Sequence, residues 1–211
     1  MKAVIFDLDG VLIDSLDAHF EAWTEFWKTR GKKHTRKMFN ANVATSSEET
    51  LRIRNKQFGT HIPIAQGVKE RELLFNKYAH LVRVYPGAAH VLKALKARYK
   101  IGLATSTGRT LTMQLLRKFH LARYFDVIVT KNDVTHSKPN PAIYRLAAKK
   151  LHAQPKDCVV VEDAPNGILA AKRAGMHVIA VLQTFPRRKL KADVIVRAVR
   201  NVTDAAGLRD S

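Results

Sequence analysis

The 211 residues carry 37 Lys and Arg against 18 Asp and Glu, a formal charge of +19, and a single cysteine. One cysteine excludes a disulfide-stapled scaffold, and no apolar run approaches the roughly 20 residues that a bilayer-crossing helix needs. The N-terminus enters a strand bearing an acid, which argues against a signal peptide, so a soluble cytoplasmic protein with one sizeable core and a small inserted unit is expected.

So large a positive balance favours polyanions and phosphorylated small molecules. The cations are nevertheless spread along the chain, with local clusters at Lys32-Lys33, Arg36-Lys37 and Arg187-Arg188-Lys189, and no aromatic residues interleave to make a base-stacking platform. A solvated basic surface is therefore preferred to a dedicated nucleic-acid site, with nucleic acid kept open as a partner and a monomer as the default state.

The chain opens on an apolar run, Ala3-Val4-Ile5, that breaks into Phe6-Asp7-Leu8-Asp9-Gly10. This pattern reads as a buried strand whose C-terminal end opens into a site. Two carboxylates two residues apart, before a glycine that lets the backbone turn, suit a nucleophile and its proton-transfer partner; the bland alternative is a loop with two solvated acids. Asp14-Ser15 is placed to cap a helix over Asp17–Arg30, where Leu16, Phe20, Trp23 and Trp27 recur at helical spacing and Gly31 ends the run. From Lys32 to Arg83 the pattern stays helical: Thr35–Asn42, Ser47–Phe58 with Ser47 as N-cap, and Ala65–Val82. At Val84-Tyr85-Pro86-Gly87 an α/β alternation begins. It predicts helices Ala88–Arg98, Leu111–Phe119, Pro141–Leu151 and Pro165–Ala174, and strands Ile101–Ala104, Val127–Val129, Cys158–Val161, Val178–Val181 and Val194–Val196.

Near-continuous apolar strands alternating with helices imply a parallel sheet covered on both faces. The predicted architecture is an α/β, Rossmann-like core formed by residues 1–14 and 84–211, interrupted by an all-helical cap over 15–83. In such sheets ligands lie beyond the carboxyl ends of the strands, where Asp7, Thr105 and Asp163 all fall. Cys158 adjoins Val159-Val160-Val161 and reads as an inert core thiol.

Four segments, Asp7-Leu8-Asp9-Gly10-Val11, Leu103-Ala104-Thr105-Ser106, Ser137-Lys138-Pro139 and Val161-Glu162-Asp163 with Gly167, resemble in order the four motifs of the haloacid dehalogenase-like phosphohydrolases. The resemblance runs over nearly the whole chain and is closest to the branch holding beta-phosphoglucomutase and the sugar-phosphate phosphatases. It implies Asp7 as a nucleophile that forms an aspartyl-phosphate and Asp9 as the general acid/base. It also implies Thr105, the Ser106 amide and Lys138 as phosphate-binding groups, with Mg²⁺ held by the Asp7 carboxylate, the Asp9 carbonyl and the Asp163 carboxylate, and Glu162 behind them. His19 occupies the cap-hinge position of that branch. Ala164 stands where the family often has Ser, and Thr45-Ser46-Ser47-Glu48 lacks the cap arginine with which the mutase grips a distal phosphate. The expected function is thus an Mg²⁺-dependent phosphatase acting on a small phosphorylated metabolite, a sugar phosphate above all. A phosphosugar mutase is the enzyme alternative, and a nucleic-acid-binding protein on an inactive phosphatase fold is the alternative from another class.

Overall fold

The computed structural model describes residues 1–205. The chain divides into two compact units, one of residues 1–14 and 84–211, the other of Ser15–Arg83. The first begins with β1 (Ala3–Phe6) and β2 (Ile13–Asp14). The second contains α1 (Leu16–Lys28), α2 (Arg36–Asn40), α3 (Ser47–Phe58) and α4 (Ile64–Tyr78). After β3 (Arg83–Val84), which pairs with β2, the chain alternates through α5 (Ala88–Lys96), β4 (Lys100–Thr105), α6 (Arg109–Lys118) and β5 (Val127–Thr130). It continues with α7 (Ala142–Lys150), β6 (Cys158–Glu162), α8 (Pro165–Arg173), β7 (His177–Val181), β8 (Val194–Val196) and a short α9 (Val202–Ala205).

Six of these strands form one sheet in the order β5-β4-β1-β6-β7-β8, with every neighbouring pair parallel. Strand β1 lies between β4 and β6, with Phe6 in register with Leu103 on one side and Val161 on the other. Side chains alternate across a strand, and both sets are buried here. Ala3, Ile5, Ala104, Val160, Val178 and Ala180 pack with Ile143, Tyr144 and Ala147 of α7 and Ile168, Ala170 and Ala171 of α8. The alternate residues Val4, Phe6, Ile101, Leu103 and Val161 are equally enclosed, and α5, which packs on β4, buries Val91, Leu92 and Leu95. Burial on both faces is why these strands read as unbroken apolar runs. The result is the α/β, Rossmann-like parallel sheet expected from the sequence.

The second unit is helical throughout. Trp23, Phe26, Trp27, Leu51 and Val68 make its core, with Trp23, Phe26 and Trp27 in edge-to-face contact along α1. Gly67 is required there by space, because a Cβ would meet Leu51 Cδ2 at 2.5 Å. Two capping expectations are corrected. Ser15 occupies the N-cap position of α1 without a side-chain capping bond. The N-cap of α3 is Ser46, not Ser47: its hydroxyl accepts from the Glu49 amide, and Ser47 is the first helical residue. Consecutive serines offer the same chemistry, and only the backbone angle, extended at Ser46, separates them. The apolar stripe of α1 likewise shifts, since Leu16 and Phe20 are half-buried whereas Phe26 is enclosed. Of the remaining helix and strand ends several coincide, among them both ends of α3 and β8, and others move by one or two residues, while the predicted helix to Val82 becomes α4 followed by a 3₁₀ turn, Ala79–Leu81. No helix among the described residues is long and apolar enough to cross a membrane.

Candidate active site

The carboxyl ends of β1, β4 and β6 are adjacent because those strands are neighbours in the sheet. Asp7 follows β1, and its amide bonds the Val161 carbonyl at 3.0 Å, extending the ladder by one residue. Its carboxylate is buried and meets Lys138 Nζ at 2.8 Å. The same ammonium donates to Glu162 Oε1 at 2.8 Å and to the Ala104 carbonyl at 3.1 Å, and it sits 4.8 Å from the centre of the Tyr144 ring. Lys138 is thereby drawn from a loop into the interior, with its side chain only 7% exposed. A buried lysine of this kind is compensated by two carboxylates.

Glu162 serves several donors at once. Oε1 accepts from Lys138 and from the Tyr144 hydroxyl at 2.8 Å, while Oε2 accepts the amides of Asp163 at 2.9 Å and Ala164 at 3.0 Å. It therefore supplies an acceptor at the start of α8, where Ala164 at the N-cap has no side chain able to accept. Gly167 makes this possible: a Cβ there would lie 1.7 Å from Glu162 Oε1. Burial works to raise the Glu162 pKa, but Lys138 and the surrounding donors hold it below the usual value.

Asp7, Glu162 and Asp163 place carboxylate oxygens within 4.8 Å of one another, all in buried side chains. Against three acids stands one ammonium, Lys138. The imbalance falls on Asp7, whose pKa rises from 3.8 to about 7 through burial, reinforced by Glu162 and Asp9 against the pull of Lys138. Asp163 is also raised well above its ordinary value by burial and by the charges of Glu162 and Asp7. Burial opposes charge on Lys138, yet Asp7 and Glu162 keep it protonated well above the usual lysine range. A group of oxygen donors short of positive charge suits a hard divalent cation. Since both Glu162 oxygens are engaged by protein donors, Asp7 and Asp163 are the carboxylates suited to ligate it.

Asp9 Oδ2 accepts from the Thr107 hydroxyl at 2.6 Å. Gly10 then turns the chain with φ +78°, a conformation that favours glycine, and its amide bonds the Ile13 carbonyl at 2.8 Å. Thr105 is buried at the end of β4, where its hydroxyl oxygen accepts the Thr107 amide at 3.0 Å. That bond leaves the hydroxyl hydrogen as the donor a phosphate oxygen needs. Ser106 is exposed beside it.

The structure thus brings Asp7, Asp9, Thr105, Lys138, Glu162 and Asp163 into the first unit at neighbouring strand ends. His19 lies in the helical unit, where it contacts Arg71 and its ring packs at a tilt against Phe75, 4.6 Å between centroids. Thr107 and Tyr144 were not picked out from the sequence. Thr107 belongs to a Thr-Ser-Thr-Gly run that also reads as ordinary turn chemistry, and Tyr144 follows the helical pattern of α7, so only its hydroxyl hints at a polar partner.

A parallel sheet with buried acids at the carboxyl ends of its central strands, two of them holding a lysine, is a Rossmann-like scaffold with a charged site at its strand ends. Residues 4–181 match the family model of the haloacid dehalogenase-like hydrolases, and the chain belongs to that family as an enzyme of its phosphatase kind. It is 35% identical over 187 residues to the phosphorylated carbohydrates phosphatase of Thermotoga maritima, covering 84% of this chain and 83% of that protein. It is also 35% identical over 213 residues to the beta-phosphoglucomutase of Bacillus subtilis, covering 96% and 92%. Among solved structures, CbbY from Rhodobacter sphaeroides in complex with phosphate superposes with a TM-score of 0.84 at 27% identity, over 96% of each chain.

Proposed function

We propose that this chain is an Mg²⁺-dependent phosphatase that hydrolyses a small phosphorylated carbohydrate through an aspartyl-phosphate on Asp7. The observation that carries the reading is the Asp7–Lys138–Glu162 arrangement, in which a buried carboxylate at a strand end is held by a cation that is itself held from behind. Such a nucleophile is fixed in position before substrate arrives, which is where much of the catalysis of phosphoryl transfer lies. The identity to a phosphatase of phosphorylated carbohydrates supports the substrate class.

Asp7, the Asp9 carbonyl and Asp163 would hold Mg²⁺, and Glu162 would stay behind them as the anchor of Lys138. When bound, the ion supplies the missing positive charge, keeping Asp7 and Asp163 ionised and screening the carboxylate from the phosphate dianion. Asp7 then attacks phosphorus as the bond to the leaving oxygen breaks, and Asp9, pinned by Thr107, gives that oxygen its proton. In the second half Asp9 takes a proton from water, the water oxygen bonds to phosphorus, and the bond to Asp7 breaks to release inorganic phosphate. Thr105, the Ser106 amide and Lys138 stabilise the transferring phosphoryl oxygens. The helical unit, with His19 as hinge residue, is assigned the role of a specificity cap.

The mutase reading rests on the similarity to a beta-phosphoglucomutase. Against it stand the commitments of the two buried arginines of the helical unit, Arg54 and Arg71. Arg52 pairs with Glu49, and Arg54 is buried among the Met38 carbonyl, Asn42 and Gln57. Arg71 is buried against His19, Trp23 and Phe75. Neither Arg54 nor Arg71 presents the exposed, uncommitted fork that a second phosphate would need, whereas Arg52 is 58% exposed in its surface pair.

Phosphate release from a panel of sugar phosphates, with Mg²⁺ and with EDTA, tests both readings. Release that vanishes with Asp7→Asn and with EDTA is expected. Full release from Asp7→Asn would overturn the mechanism, and isomerisation that needs a bisphosphate primer and releases no phosphate would select the mutase.

A further inference from the structure

The loop after β7 carries a hydroxyl to the acidic end of the sheet from outside all four motifs. A Cβ built on Gly10 would lie 2.0 Å from Asp163 Oδ2 and 2.6 Å from Thr184 Oγ1, so both oxygens close on the same bare point of backbone. Thr184 Oγ1 is buried and completes no well-formed hydrogen bond, although it converges with Asp163 Oδ2 on the same point of backbone. The preceding side chain also hides an unsatisfied oxygen, Gln183 Oε1.

A buried hydroxyl without a partner costs on the order of 1–3 kcal/mol, and valine fills the same shape without that cost. Stability alone therefore gives no reason for threonine at this place. A reason appears in Asp163, the carboxylate whose Oδ2 closes with the Thr184 hydroxyl on the same point of the Gly10 backbone, because a carboxylate is a strong acceptor for a hydroxyl that has no other partner. Gly10 contributes to the same arrangement by its missing side chain, since any Cβ would occupy the space through which Asp163 and Thr184 approach.

We propose that Thr184 is a positioning residue of the cation site: its hydroxyl donates to the Asp163 carboxylate when that carboxylate turns to a divalent cation, and so fixes its orientation. This rests on the reading of Asp163 as a cation ligand. Partners behind the ligands typically contribute 10–100-fold to metal affinity.

The test is calorimetric titration of Mg²⁺ into the substrate-free full-length protein, comparing wild type with Thr184→Val, Thr184→Ser and Asp163→Asn, alongside thermal unfolding in EDTA. Thr184→Val should bind Mg²⁺ about tenfold more weakly, Thr184→Ser should bind like wild type, and Asp163→Asn should lose binding. In EDTA, Thr184→Val should unfold no earlier than wild type, because the hydroxyl stabilises nothing without the ion. Unchanged affinity in Thr184→Val, with binding lost in Asp163→Asn, would overturn the role of Thr184 and leave the cation reading standing. Equal weakening in Thr184→Ser, or a Thr184→Val protein that fails to fold in EDTA, would make the residue a packing element and overturn the inference. Undiminished binding in Asp163→Asn, or none in wild type, would remove the cation reading and this inference together.

Discussion

Replacing Asp7 by Asn should stabilise the cation-free protein, and by an amount that grows with pH. The Asp7 carboxyl has a folded-state pKa of about 7 against 3.8 ordinarily, chiefly because it is buried among other acids. Its folded pKa is raised, so the folded state prefers the protonated form. The resulting cost is absent below pH 3.8, grows as pH rises from 3.8 towards 7, and is complete above 7. At 1.36 kcal/mol per pKa unit the full cost is about 4 kcal/mol, and at pH 5 about 2 kcal/mol remains. An asparagine never bears it. Urea unfolding in EDTA at pH 5, 6.5 and 8 should therefore show Asp7→Asn more stable than wild type, with the gap roughly doubling from pH 5 to pH 8. Far-UV circular dichroism is the appropriate probe, because both tryptophans, Trp23 and Trp27, lie in the helical unit and report on the wrong part of the chain. Saturating Mg²⁺ should close the gap by stabilising wild type, by about 2.7 kcal/mol at a hundredfold excess over its dissociation constant. A gap independent of pH, or one that Mg²⁺ leaves unchanged, would refute the assignment of Asp7 as a carboxylate strained by uncompensated charge.

Removing the cation should do the reverse. Lys138→Met leaves Asp7 and Glu162 buried without their shared partner and is expected to cost about 3–5 kcal/mol, seen as a lower thermal midpoint, with phosphate release reduced about 100-fold or more. Gly10→Ala forces a positive φ on a residue with a side chain and drives its Cβ into Asp163; Mg²⁺-dependent phosphate release should fall below a tenth of wild type, and activity near wild type would refute the close approach. Thr105→Val keeps shape and removes the donor, so the Michaelis constant for phosphate esters should rise about tenfold while the thermal midpoint stays within about 2 °C, in line with the loss of one hydrogen bond of about 1 kcal/mol. Thr107→Val frees Asp9 Oδ2 from its 2.6 Å bond and is expected to lower kcat more than it changes KM; an unchanged kcat would deny Thr107 any part in holding Asp9.

The sheet was legible because its strands are buried on both faces. Ala3–Phe6 and Cys158–Glu162 are apolar almost to their ends, and each breaks at an acid where the strand meets the site. The order of β5, β4, β1 and β6 across the sheet is not legible in the sequence, since no local pattern encodes which strands pair. The strands β2 and β3, two residues each, are too short to carry a period. Ser46 and Ser47 are indistinguishable as caps until the backbone angles are known. In the site, the acids stand out as charges in apolar surroundings, but their partners do not. Lys138 reaches Asp7 across 131 residues and Thr107 reaches Asp9 across 98, and such pairings leave no mark on local composition. Thr184 is less visible still, because a threonine in a loop is unremarked unless its hydroxyl is known to be buried.

The place of β1 between β4 and β6 also bears on how the chain is made. Strand β1 is synthesised well before its two neighbours, which span residues 100–105 and 158–162. At roughly 5–20 residues per second, the apolar segment Ala3–Phe6 waits on the order of ten seconds before its second partner exists. The helical unit, built from contacts between nearby segments such as α1 with α4 and α3 with α4, is able to settle meanwhile, because short-range contacts form early and long-range parallel pairing late. Until β6 exists, β1 keeps at least one open edge on an apolar segment, the kind of surface that chaperones cover. Asp7 and Glu162, carried by strands far apart in sequence, meet only when β6 pairs with β1, so the site stays chemically silent until that pairing is made.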